Sequence, residues 1–260
     1  MALANVQLER DGDVAVLTLS NPATRNALSW DLADDLREAL GQLGDARALV
    51  LAGAGKGFCS GGNLASEVRE GERFGDMIAR GLRESVNPML RRLAELEIPV
   101  VCAVNGAAAG AGASLALSAD FVIAGESAFF YFAFPHVGLA LDAGASWLLP
   151  RLVGTARAME ALMLAERIPA AQALDWGMIH KVVPDEALLA EARALAHRLA
   201  AGPTRSYALI RRAVRSAHGS DYLSALLFEE EAQRISGNSK DCDEAVSAFL
   251  QKRSPVFRGE

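Results

Sequence analysis

The chain has 260 residues, 51% of them apolar (the AVILMFWYC set) and 22% charged. That balance supports a buried core and excludes an intrinsically disordered chain; the length suits one large α/β domain, or a domain with a helical appendage. A formal net charge of −6 argues against a nucleic-acid-binding surface, which needs a positive excess concentrated on one face.

Cys59, Cys102 and Cys242 show no paired spacing and read as reduced thiols. The opening MALANVQLERDGD has neither a basic n-region nor an apolar h-region, so no secretory leader is expected and the reading is a soluble cytoplasmic protein. Residues 98–119 carry no charge and are long enough to cross a bilayer, but Pro99, Asn105, Gly106, Gly110 and Gly112 interrupt them. A strand, a turn and a buried helix account for them better, with no membrane involved.

In chain order, Val14–Ser20 is β-branched and apolar and stops at Asn21-Pro22, which predicts a strand. Ser29 or Asp31 is placed to cap a helix running to about Leu43. Residues 48–53 read as a fully buried strand, followed by a glycine-rich loop over 53–62. An amphipathic helical stretch over about 72–96 ends before Pro99. Val100–Val104 reads as a strand, Asn105-Gly106 as a turn, residues 110–119 as a helix of small residues, and Phe121–Ala124 as another strand. Such alternation predicts parallel strands with helices on their faces. The aromatic run over 129–134 suits a core strand or a pocket wall. Beyond Pro184 the chain is expected to be almost wholly helical, broken at Gly202-Pro203 and Gly219-Ser220.

Several chemistries find no support. The four histidines, His136, His180, His197 and His218, are widely spaced and form no metal-ligand pattern. The run Gly53–Gly57 resembles a phosphate loop but has Gly57 where a magnesium-binding hydroxyl should stand. Ser114 lacks the flanking glycine of a nucleophile elbow, and Cys59 has no histidine near it in sequence.

What remains is backbone chemistry. The small residues near Gly61-Gly62 and near Gly110–Gly112 lie at strand-to-helix junctions, where unpaired N–H groups could hold a developing oxyanion; on the residues alone, tight turns for close packing are the favoured explanation. Asp142 is a lone carboxylate in an uncharged stretch that then becomes helical. It reads either as an N-cap or as a general acid/base with a raised pKa.

Taken together, the sequence resembles the crotonase superfamily, the enoyl-CoA hydratase/isomerase family, over nearly its whole length. The matching pieces are Asn21-Pro22 with residues 25–28 (RNAL), 57–64 (GFCSGGNL), 98–106 (IPVVCAVNG), 119–124 (ADFVIA), 149–154 (LPRLVG), 173–177 (ALDWG) and 248–253 (AFLQKR). The resemblance implies an α/β spiral of repeated ββα units over residues 1–200. It also implies a helical region over 201–260 for oligomerisation, as a homotrimer or dimer of trimers, and for part of the CoA site. The implied substrate is an acyl-CoA thioester, with coenzyme A part of the substrate and no separate cofactor.

By matched position, the resemblance gives the N–H groups of Gly62 and Ala111 the thioester oxygen, Ala111 replacing the family's usual glycine. Arg25, Ala27 and Leu64 fall where the family contacts CoA, and Asn63, Phe134 and Leu141 complete the expected substrate-binding set. The two glutamates with which hydratases of the family handle water correspond to Ser114 and Phe134, which weighs against hydration of a 2-enoyl-CoA. Residues 132–151 (FAFPHVGLALDAGASWLLPR) resemble the isomerase branch of phenylacetate degradation, in which an aspartate at the position of Asp142 transfers the proton. The expected activity is therefore a 3-enoyl-CoA to 2-enoyl-CoA isomerisation. Alternatives are a hydratase using Asp142 with His136, covalent attack by Asp142, and a non-catalytic acyl-CoA binder or an RNA-associated relative, the last disfavoured by the acidic net charge.

Overall fold

A computed structural model describes residues 3–63 and 68–260. Val6–Asp11 (β1) and Val14–Leu19 (β2) form an antiparallel hairpin that turns at Gly12, where φ is 59°. Trp30–Ala39 (α1) begins where the Ser29 hydroxyl accepts the Leu32 N–H at 3.2 Å, so Ser29 rather than Asp31 is the cap. Ala48–Gly53 (β3) and Gly57–Cys59 (β4) follow. The expected amphipathic stretch is two helices, Phe74–Gly81 (α2) and Asn87–Ala94 (α3), joined by a π-helical turn at Leu82–Val86. There the Asn87 N–H reaches back five residues to the Leu82 carbonyl, and Pro88, which has no N–H to give, comes next.

The uncharged segment over 98–119 resolves into Val100–Val104 (β5), Ala107–Ala109 (β6) and Ala111–Leu117 (α4). No helix among the described residues is long and apolar enough to cross a membrane. Phe121–Gly125 (β7), Phe129–Tyr131 (β8) and Ala145–Met163 (α5, bent at Gly154) lead to Arg167–Pro169 (β9), Ala170–Asp175 (α6) and Lys181–Val183 (β10). The helical C-terminal part comprises Leu188–Ala200 (α7), Thr204–Ala217 (α8), Tyr222–Gly237 (α9) and Lys240–Leu250 (α10), broken at the two expected Gly-containing pairs.

The strands make a six-stranded sheet in the order β1-β2-β3-β5-β7-β10 and a four-stranded sheet in the order β4-β6-β8-β9. From β2 to β10 the large sheet is parallel, as is the small one from β4 to β8. Three successive strand pairs, β3–β4, β5–β6 and β7–β8, each send their first member to the large sheet and their second to the small one. A helix then returns the chain. Repetition of this unit is the spiral.

Alternation along each strand explains the layers. Leu17, Leu19, Leu51, Cys102 and Val104 face one way, into a cluster with Leu32, Leu36, Met89 and Leu115. Val16, Val50, Val101 and Ile123 face the other way, against Ala192, Ala196 and Ala200 of α7. Each buried leucine or valine contributes about 1.5–3 kcal/mol. Sequence periodicity missed β1, β4, β6, β9 and β10; β4 lies inside the glycine-rich loop, β6 is three alanines with no β-branched signal, and β9 and β10 are only three residues each. Phe130 and Phe132 are fully buried in the core, as a core strand requires.

A buried ion pair ties α8 to this frame. Arg211, only 7% exposed, donates to Asp120 at 2.6 Å, and Arg215 donates to the Ser118 carbonyl at 2.9 Å. By contrast, α9 buries none of its residues.

Candidate active site

One side chain that sequence reasoning passed over organises the first half of the site. Asn26 is fully buried in the left-handed region (φ 55°), and its amide N–H groups reach the carbonyls of Ala54, Gly57 and Phe58 at 2.9, 3.0 and 3.1 Å. Its Oδ1 accepts the Asn21 N–H at 2.9 Å. This side chain therefore pins the 21–28 loop to the glycine-rich loop. Asparagine tolerates the left-handed backbone and supplies both donor and acceptor, which was the available signal. The adjoining Arg25 is exposed and also left-handed, and Ala27 is half-buried beside it.

Residues 60–63 then run alongside this loop. Leu28 donates to the Gly61 carbonyl at 2.7 Å and accepts from the Asn63 N–H at 3.3 Å. In this parallel bridge the Gly62 N–H points away from Leu28, and a Cβ on Gly62 would meet nothing within 4 Å. Leu64, expected to contact CoA, lies outside the described residues.

Gly61 seats this strand against the second junction. With φ of 93°, it packs so closely that a Cβ would stand 2.7 Å from the Ala109 carbonyl oxygen. Gly110 follows with φ of 49° and donates to the Tyr131 carbonyl at 2.7 Å. Ala111 opens α4, so its N–H has no carbonyl of that helix to pair with. The two junctions suspected from their small residues are thus adjacent. Gly112 differs, because its missing side chain admits the Cys59 carbonyl and Sγ, a packing role only.

Asp142 comes later in the chain, just before α5. The chain passes Phe134, buried with its ring 3.9 Å from where a Gly110 Cβ would lie, and a left-handed Gly138 before reaching Leu141, which is exposed, and Asp142. Ala143 and Gly144 are both left-handed, with φ of 49° and 83°, and α5 starts at Ala145 with Gly144 as its N-cap. The Asp142 side chain caps nothing. Its Oδ1 is buried with no hydrogen-bond partner, and loss of water pushes the carboxyl up from 3.8 to about 6. A non-glycine residue held at positive φ directly after such a carboxylate stores backbone strain of about 1–2 kcal/mol. Beyond it, Ala143 and Gly144 share with Leu117, Trp147 and Leu148 the wall of a cavity of about 900 Å³.

The other candidates fall away from the chemistry. Ser114 is fully buried on α4 with no partner for its hydroxyl. His136 is exposed, its Nδ1 3.3 Å from the Tyr131 hydroxyl, and so neighbours the site through Tyr131. Burial pushes the Cys59 thiol up to about 11, so it stays a neutral packing residue and not a nucleophile.

Fold and site define an α/β spiral with two adjacent glycine-rich strand-to-helix junctions and a buried carboxylate oxygen without a hydrogen-bond partner. The family model for enoyl-CoA hydratase/isomerase matches residues 9–260, and the chain belongs to that family, the crotonase superfamily. It is 44% identical over 250 residues to the 1,2-epoxyphenylacetyl-CoA isomerase of Escherichia coli K12, covering 95% of each chain. It is 34% identical over 264 residues to a short-chain-enoyl-CoA hydratase of Clostridium acetobutylicum, covering 97% of each. The crystal structure of an enoyl-CoA hydratase from Bacillus anthracis superposes with a TM-score of 0.91 at 30% identity, over 98% of this chain and all of that one.

Proposed function

We propose that this acyl-CoA enzyme moves the double bond of a 3-enoyl-CoA to the 2-position. Asp142 removes a proton from C2 of the substrate. The dienolate oxygen is held by the N–H groups of Gly62 and Ala111, and Asp142 returns the same proton at C4. No proton is gained or lost, so one carboxylate serves as base and then as acid. Arg25, Ala27, Asn63 and Leu64 would line the CoA side, with Phe134 and Leu141 against the acyl group.

The observation that carries this reading is the buried Asp142 Oδ1, which has no hydrogen-bond partner; the positions that the family resemblance matches to the hydratase glutamates hold Ser114 and a buried Phe134. Hydration is the second reading, favoured by the hydratase among the relatives and requiring Asp142 to activate water alone. Absorbance of the conjugated thioester separates them. A rise with a 3-enoyl-CoA that Asp142→Asn abolishes supports isomerisation, whereas a fall with a trans-2-enoyl-CoA supports hydration.

Assembly as a trimer or dimer of trimers through residues 201–260 belongs to the same reading. It is supported by Tyr222, Leu223 and Leu227, which α9 leaves exposed, and sedimentation equilibrium tests it.

A further inference from the structure

The cavity of about 900 Å³ beside Ala143 is apolar over most of its wall and cationic over the rest. Leu90 of α3, Leu117 of α4, Trp147 and Leu148 of α5, and Val214 of α8 belong to the apolar part. Trp147 and Val214 are 41% and 59% exposed, so the cavity opens to solvent beside them. Its volume lies within the range of small-molecule sites.

Two guanidiniums and one carboxylate, Arg211, Arg215 and Asp120, stand in the same wall, and His218 is the one other titratable base there. Asp120 accepts from Arg211 at 2.6 Å and from Arg215 at 3.4 Å. The other hydrogen bonds of the two arginines go to the neutral main-chain carbonyls of Ala94, Leu96 and Ser118. One positive charge is therefore left over. The Arg211 Nη2 has no partner, although Arg211 is only 7% exposed. Burial, with the Arg211 charge beside it, holds the Arg215 guanidinium below its usual pKa, as expected of a cation short of an anion.

We propose that this cavity binds a free fatty carboxylate, its chain along Leu90, Leu117, Leu148 and Val214 and its head on Arg215. The head supplies the missing negative charge through charge-assisted hydrogen bonds, and the chain takes apolar surface out of water. A neutral alcohol of equal length satisfies only the second requirement, and an amine meets repulsion. The site stands independently of the double-bond shift proposed above, which uses neither arginine.

Calorimetric titration of decanoate, 1-decanol and decylamine into the wild type and Arg215→Gln tests this, with tryptophan fluorescence followed in parallel. Decanoate should bind the wild type on the order of tenfold more tightly than decanol, and decylamine should not bind. Arg215→Gln should lose on the order of tenfold in decanoate affinity and leave decanol unaffected. The fluorescence change on adding decanoate should vanish in Trp147→Phe, which locates the ligand. Decanol binding as tightly as decanoate overturns the carboxylate site, as does an unchanged decanoate affinity in Arg215→Gln. Absence of saturable decanoate binding overturns the proposal altogether, and a fluorescence change that survives Trp147→Phe overturns its placement. If Arg215→Gln does not fold, the ranking of the three ligands on the wild type decides alone.

Discussion

Gly61 and Ala109 approach so closely that a methyl group on Gly61 would stand 2.7 Å from the Ala109 carbonyl oxygen. This contact joins two segments about fifty residues apart in sequence and sets the spacing between the amides proposed to hold the thioester oxygen. Gly61→Ala adds a clash to an unfavourable backbone at φ of 93°, so it should destabilise the fold by about 2–4 kcal/mol and lower kcat. Gly62→Ala, whose Cβ enters open space, should fold like the wild type. Urea titration of the two variants compares them directly.

Asn26→Ala should cost about 3 kcal/mol, because three carbonyls, two of them buried, and the Asn21 N–H lose this partner together. The loop it pins carries Arg25 and Ala27, so affinity for a CoA thioester should fall in parallel. Calorimetric binding beside chemical denaturation measures both effects.

Asp142→Asn should reduce kcat for 3-enoyl-CoA isomerisation by about 10²–10⁴-fold without unfolding the protein. Single-turnover absorbance with the purified variant checks this, and activity close to wild type would remove Asp142 from the mechanism.

The same carboxyl sets a pH dependence. Its folded pKa, about 6, exceeds the ordinary 3.8 because burial disfavours the anion. Below about pH 4 it is neutral in both folded and unfolded chains. As pH rises through 6 the native state must hold a poorly solvated anion, and stability falls by on the order of 3 kcal/mol. Asp142→Asn should therefore gain stability relative to wild type at pH 8 and lose that advantage near pH 4. Isomerase kcat/KM should rise with pH through about 6, since the base must be ionised.

Arg211→Met should cost about 3 kcal/mol by leaving Asp120 short of a buried partner. Because this pair anchors α8, limited proteolysis near Gly202-Pro203 should accelerate, and thermal unfolding should begin lower.

Much of the frame was legible along the chain, because β2, β3, β5 and β7 are continuous apolar runs and α4 and α8 follow glycine- or proline-bearing breaks. The short strands β4 and β6 were not. Their glycines and alanines are required by close approach between layers, and that requirement exists only once the layers have packed.

The site divides the same way. Residue identity alone marked Asp142 as a lone carboxylate, and the order of small residues marked the Gly62 and Ala111 junctions. Whether Asp142 caps α5 or stands desolvated was decided by the left-handed pair Ala143 and Gly144, which places the cap two residues later. The adjacency of Gly61 and Ala109, and the reach of Asn26 to three carbonyls, are likewise products of the tertiary structure. Local sequence encodes backbone preference and polarity, while burial, desolvation and the meeting of distant amides arise only when the spiral closes.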